Sequence, residues 1–127
     1  MKKQDLNERL IDFAVMVIKV TDNLLTTRAA NHLAGQLVRS GTSPALNYGE
    51  AQSGESRKDF IHKLQVVLKE LRETMNALKI IKKASLYRNS EFLDTTLKEN
   101  NELIAIFVTS VETAKRNDKG KGGDSDK

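Results

Sequence analysis

From Leu6 onward the apolar positions recur at helical spacing. Leu6, Leu10, Phe13, Val17, Val20 and Leu24 are separated by four, three, four, three and four residues, the stripe of a helix that buries one face in a bundle. This predicts a first helix from about Asp5 to Leu25. A second stripe, Ile11, Ala14, Val15 and Ile18, lies beside the first, and between Leu10 and Val20 only Asp12 and Lys19 carry charge. One bundle face does not require so much apolar circumference. Either this helix is central in the monomer or its extra face meets another subunit. A chain of 127 residues favours the subunit.

The pattern resumes after Thr26 and Thr27, either of which can cap a second helix through its hydroxyl. Inward positions read Ala30, Leu33, Leu37, Ser40 or Gly41, Pro44, Tyr48 and Ala51. The repeat passes through Pro44 without a change of phase. Pro44 offers no N–H to the Ser40 carbonyl and its ring crowds that carbonyl, which predicts a kinked helix, with two short helices broken at Gly41–Pro44 as the alternative. Gly35, Gly41, Ala45 and Gly49 make the segment narrow enough for a neighbouring backbone to come close, and the glycines leave it dependent on packing. Ser53-Gly54-Glu55-Ser56 is turn-like, and Ser56 with Asp59 resembles a capping box.

A third helix then carries Phe60, Leu64, Val67, Leu71, Thr74, Leu78 and Ile81 and ends near Ala84 to Tyr87. Asn89 or Ser90 caps a fourth, with Leu93, Leu97, Asn100, Ile104, Phe107, Val111 and Ala114 in its seam and Leu103 and Ile106 widening its apolar face. Four long helices with short links predict an all-α, up-down-up-down four-helix bundle over residues 1–117. Gly120, Gly122, Gly123 and mixed charges predict a disordered tail over 118–127. The apolar excess assigns Ile11, Val15, Ile18, Leu103 and Ile106 to an interface between copies.

Scarce residues narrow the possibilities further. There is no Cys, no Trp and a single Pro, and aromatic residues make up 5%. Disulfides and thiolate metal sites are excluded, and the regular strands and turns of a β-sandwich are missing. No signal-peptide pattern and no stretch of about 18 apolar residues occurs, so a cytoplasmic protein with no membrane span is expected. The net charge is +4, and residues 115–127 hold five basic and three acidic groups. The body is therefore mildly basic, with 16 basic against 14 acidic residues.

Chemistry is hard to find. A di-iron bundle needs a Glu on each of two helices and Glu-x-x-His on the other two. Asp59-Phe60-Ile61-His62 is the one related pair, and His32 has Ala29 three residues before it. No metal, no cofactor and no catalytic triad is expected, and His32 and His62 read as surface or interface groups. One polar constellation stands out: Arg39, Ser43, Asn47 and Glu50 share a face of the second helix, and Glu70 and Glu73 can face them from the third, with Thr74 nearby. It reads as a helix–helix network around Pro44 that satisfies the freed Ser40 carbonyl, or as a surface for a ligand or nucleic acid. A basic cluster, Lys79, Lys82, Lys83 and Arg88 beside Tyr87, reads as a solvated helix end. Repeated around a symmetric ring, it becomes a strong positive field for phosphate.

These residues carry a resemblance. The stretch from Gln36 to Ala51 (QLVRSGTSPALNYGEA), followed by Ser56 to Leu64 (SRKDFIHKL) and Lys69 to Thr74 (KELRET), resembles the signature of the 23S ribosomal RNA intervening-sequence proteins. These are also called four-helix bundle proteins or S23 ribosomal proteins. The likeness covers roughly residues 6–112. It implies a four-helix bundle assembled as a homopentamer. The family includes reading frames within insertions in the large ribosomal RNA gene, and accessory proteins of diversity-generating retroelements. The latter form basic pentameric barrels that bind nucleic acid and a reverse transcriptase. The expectation is thus a non-enzymatic homo-oligomer that contacts RNA or DNA through Arg39, Lys79, Lys82, Lys83 and Arg88. The alternative is an adaptor for a protein partner such as a reverse transcriptase, without direct nucleic-acid contact.

Overall fold

The second, third and fourth helices begin where a short polar side chain can accept an otherwise unpaired backbone N–H. The computed structural model describes the backbone of residues 3–53 and 56–125 and the side chains of residues 5–53 and 56–118. Four helices follow in order: α1 Lys3–Asp22, α2 Arg28–Gln52, α3 Arg57–Lys83 and α4 Ser90–Ser125. Thr27 Oγ1 accepts from the Ala30 N–H at 3.1 Å, Ser56 Oγ from Asp59 N–H at 3.1 Å, and Asn89 Oδ1 from Phe92 N–H at 3.0 Å. The first helix stops three residues before the expected Leu25. Its last turn is closed by side chains, Asn23 donating to the Lys19 carbonyl and Thr21 to the Val17 carbonyl, a local competition that ends helices. Leu25 N–H then donates to the Leu86 carbonyl at 2.9 Å, tying the α1–α2 link to the α3–α4 link.

At the end of α3 the chain reverses through Ser85, the one described non-glycine residue with positive φ, at 56°. Leu86 N–H donates to the Ile81 carbonyl and Ser85 N–H to the Lys82 carbonyl, the two bonds of a Schellman cap. Leu86 and Ile81 both bury their side chains, the apolar contact that accompanies this cap.

Short links force consecutive helices to run antiparallel. The helices pack α1 on α2, α2 on α3, α3 on α4 and α4 back on α1, so α1 and α3 stand diagonally, as do α2 and α4. The core is built from Leu10, Phe13 and Val17 of α1, Leu37 of α2, Leu64, Leu71 and Leu78 of α3, and Leu93 and Phe107 of α4. Tyr48 and Phe107 meet edge to face at its centre, 5.6 Å apart at 85°, a favourable aromatic geometry. Burial raises the pKa of the Tyr48 phenol.

The seam of α4 differs from the predicted one. Thr96, Asn100 and Leu103 are fully buried, whereas Leu97 and Ile104 are only partly so. Hydrophobicity favours Leu97 over Thr96, but the inward line through Leu93, Asn100, Phe107 and Ala114 passes between them on the Thr96 and Leu103 side. Thr96 meets burial by donating to the Phe92 carbonyl, and Asn100 by donating to the Leu71 carbonyl of α3 at 3.0 Å. Leu103 therefore belongs to the subunit's own core and not to an interface between copies. Ile106 is also packed against that core, on the flank of α4 facing α1. Arg9 holds the same flank, its guanidinium bonded to Glu99 and Glu102 at 2.7–2.8 Å.

The helical backbone of α4 is described as far as Ser125, past Asp118 where the glycines predict a tail. Residues 126–127 lie outside the described part. The second helix is one continuous element through Pro44, not two.

Of its glycines, Gly41 alone is close-packed. A Cβ built there would lie 2.5–2.9 Å from the Cβ and both γ-carbons of Val17, whereas Gly35 and Gly49 have nothing within 4 Å. Rotating Val17 cannot relieve the clash, because its own Cβ is in contact and a β-branched side chain is stiff in a helix. Gly41→Ala is therefore expected to destabilise the bundle by about 1–3 kcal/mol in urea unfolding. Combined with Val17→Ala, it should cost at least about 1 kcal/mol less than the sum of the two single changes.

Candidate functional site

Three surfaces carry the residues that the sequence singles out. The first is the α2–α3 flank. Arg39, one turn before Ser43, reaches across to α3: Nη1 donates to both Glu70 carboxylate oxygens at 3.0–3.1 Å and Nη2 to Glu73 Oε2 at 2.6 Å. Two carboxylates on one guanidinium leave this spot with a net negative charge. Bonds from Arg39 hold the Glu73 carboxyl below its ordinary range and raise the Arg39 pKa in turn. An open groove of about 380 Å³, lined by Gln36, Asn76 and Ile80, lies beside the pair. The other members of the constellation do not join it. Asn47 donates to the Ser43 hydroxyl and carbonyl within α2, and Glu50 pairs with Lys63.

The network engages the Ser40 hydroxyl and not the carbonyl that Pro44 frees. Thr74 Oγ1 lies 2.8 Å from the Glu70 carbonyl and 2.9 Å from Ser40 Oγ. With one hydrogen apiece, Thr74 donates to the carbonyl and Ser40 donates to Thr74. Both hydroxyls are buried and paired, a register mark between α2 and α3.

The second surface is the basic end of α3. Lys79 and Lys83 are exposed and form no salt bridge among the described residues, whereas Lys82 turns toward α4 and bonds Asp94 at 2.6 Å. Lys98, which the sequence reading passed over, joins them from α4 around an open groove of about 860 Å³ floored by Met75 and Leu97. Its signal is the four-residue spacing from Asp94, which puts it on the same face of α4. Tyr87 and Arg88 lie beyond the helix end that carries the lysines. The cap at Ser85 turns the chain first, Tyr87 is bridged to Leu24, and Arg88 is an exposed loop cation.

The third surface is apolar. Val17 and Gly41 mark the line where α1 meets α2. Helical spacing puts Ala14, Ile18 and Ile11 beside that line on α1, and Val38, Ala45 and Thr42 beside it on α2. The two exposed stripes thus merge on one side of the molecule. Ile11, Val15, Ile18 and Val38 are 38–44% exposed and Leu46 is 67% exposed. His32 and His62 are exposed as well. Among the described residues no three His, Asp or Glu side chains are placed to hold a metal ion, and no helix is long and apolar enough to cross a membrane.

The Arg39 clamp generates a pH dependence. Since Glu73 has a lowered folded pKa, its contribution is present above the unfolded value and is lost as pH falls through the folded one. Arg39→Gln is expected to destabilise the protein near neutral pH, leaving Glu70 buried without its partner. The gap from the parent protein should narrow below the ordinary carboxylate value of 4.5. Urea unfolding followed by circular dichroism at about pH 7 and about pH 3.5 measures both quantities.

Comparison with known proteins agrees with this architecture. A crystal structure of a protein of unknown function from the S23 ribosomal protein family of Bacteroides thetaiotaomicron VPI-5482 superposes with a TM-score of 0.78. The two are 26% identical, with 88% of this chain and 99% of that one covered. No curated protein matches the sequence. The sequence model of the 23S rRNA-intervening sequence proteins matches residues 2–109. The chain therefore belongs to the 23S rRNA-intervening sequence protein family.

Proposed function

We propose that this protein is a non-enzymatic, cytoplasmic homo-oligomer, a pentamer of four-helix bundles with α2 bent at Pro44, that associates with RNA through cations at the loop end of α3. The observation that carries the reading is the sorting of the surface. The uncovered apolar face lies on α1 and α2, and the unpaired cations lie at the far corner on α3 and the following loop. Copies joined through Ile11, Val15, Ile18 and Val38 hide that face and repeat the cations around the assembly, which strengthens the field on phosphate. Lys79, Lys83 and Arg88 are the contacts we assign, with Lys98 added and Lys82 shared with Asp94. Arg39 is left out, because Glu70 and Glu73 already neutralise it.

A second reading, an adaptor for a protein such as a reverse transcriptase, draws on Ile80. This side chain is 51% exposed beside the Arg39 groove and away from the α1–α2 face. Pull-down with and without nuclease treatment separates the two: a partner retained after nuclease, with no RNA bound by the purified protein, favours the adaptor.

Two measurements test the first reading. Light scattering of the purified protein at micromolar concentration should give a mass several times that of one chain. Ile11→Glu combined with Val15→Glu should reduce it to that of one chain, since a buried unpaired charge is prohibitive at an interface. RNA binding titrated with salt should weaken steeply, and Lys79→Gln with Lys83→Gln and Arg88→Gln should flatten the slope by roughly 0.7 per lost cation on a single strand. A strictly monomeric protein removes the assembly; no binding above background at low salt removes the RNA.

A further inference from the structure

The face of α3 turned directly away from the core holds more than the terminal lysines. Lys58, Lys69, Arg72, Lys79 and Lys83 are all exposed, with exposed Gln65 and Asn76 between them. At 100° per residue these seven positions fall within about 80° of arc, opposite the buried line through Val67, Leu71, Leu78 and Ile81. The first and last cations are 25 residues apart, so the row is about 38 Å long at 1.5 Å per residue.

No carboxylate of α3 interrupts it. Glu70 and Glu73 are drawn toward Arg39 on the α2 side, and Asp59 sits in the first turn by its cap. None of the five cations forms a salt bridge among the described residues, while Lys63 and Lys82, off the crest, are paired with Glu50 and Asp94. Five cations in no salt bridge among the described residues thus share the outward crest of the helix.

We infer that the crest of α3 from Lys58 to Lys83 is a binding track for the phosphodiester backbone of a nucleic-acid strand lying along the bundle axis. This rests on the RNA-binding reading above and extends it from one end of α3 to its whole length. Cations in a line, separated by amide donors, match a polymer that carries one charge per repeat. A compact anion would need converging donors, and an acidic protein helix would want a continuous apolar stripe, whereas Ile61 and Ile80 stand singly at opposite edges and opposite ends of the row. The contact is sequence-independent, because it engages phosphate and no base edge.

The test is fluorescence anisotropy of a labelled single-stranded RNA titrated with the full-length protein at several salt concentrations. Five cations on a single strand correspond to a slope of log affinity against log salt near −3.5 per engaged subunit, a roughly 100-fold loss between 50 and 200 mM salt. Lys69→Gln with Arg72→Gln, in the middle of the track and away from the loop end, should flatten the slope by about 1.4. Lys19→Gln with Arg28→Gln removes the same charge from α1 and α2 and should leave the slope unchanged. Melting curves and light scattering establish that both variants keep the parent fold and assembly. If the mid-track variant binds like the parent while the Lys79, Lys83 and Arg88 variant does not, the track is wrong and the RNA reading stands. If the mid-track and control variants weaken binding equally, the attraction is diffuse and the track is wrong. No binding by the parent removes both.

Discussion

Val17 rests against the bare backbone of Gly41, and this contact decides how α1 lies on α2. With any side chain at position 41 the helices would have to separate, because the Val17 Cβ itself occupies the space. Close approach has a second effect. It leaves Ile11, Val15 and Ile18 and the Val38–Leu46 stripe no room to fold into the crevice between the helices. The apolar excess of α1 and that of α2 consequently meet on the outside as one surface, where covering the remaining exposed part of Ile11, Val15, Ile18 or Val38 is worth roughly 0.6–1.3 kcal/mol each before the costs of association. Packing inside the bundle thus leaves on its outside an apolar surface that the proposed assembly would cover.

The other organising interaction is electrostatic. Arg39 is a surface arginine whose partners are not on the surface in the same sense: Glu70 is nearly buried and Glu73 half-exposed. By bonding both carboxylates on the α2 side, Arg39 offsets one of the two negative charges beside the α3 lysines, and Lys69, one turn before Glu73, adds to the field that lowers the Glu73 pKa. Buried hydroxyls at Ser40 and Thr74 fix the register that lets the pair form. The polar motif of α2 therefore holds two helices together and draws Glu70 and Glu73 to the α2 edge of α3, beside the cationic row.

Much of this was legible in the residues. Heptad spacing placed the inward lines of α1, α2 and α3, and cap residues located three helix starts, because both signals are local and repeat with the geometry of the helix. The seam of α4 was less legible: Thr96 and Asn100 find their partners only in the folded bundle, so a rule that favours Leu97 and Ile104 moves the line and throws Leu103 outward. Arg39 is exposed yet engaged, and Lys82 is paired while Lys83 is not; sequence spacing alone cannot distinguish such neighbours, because the deciding carboxylates lie on other helices. The α3 crest escaped notice for a different reason. A body charge of +2 averages the whole surface, and Lys58, Lys69 and Arg72 are too widely spaced to read as a cluster until the helix aligns them.

Assembly and the cationic crest are compatible for a topological reason. α1 and α3 stand on a diagonal of the bundle, so a contact that covers α1 and the adjoining side of α2 turns α3 outward in every copy. Had the links been long enough to exchange α2 and α3, the lysines of the crest would have faced the apolar surface and association would have buried them at prohibitive cost. The short links therefore do more than make the helices antiparallel. They keep the exposed apolar face and the cationic face on opposite corners, so a strand held along α3, as proposed, would not compete with contacts between copies through α1 and α2.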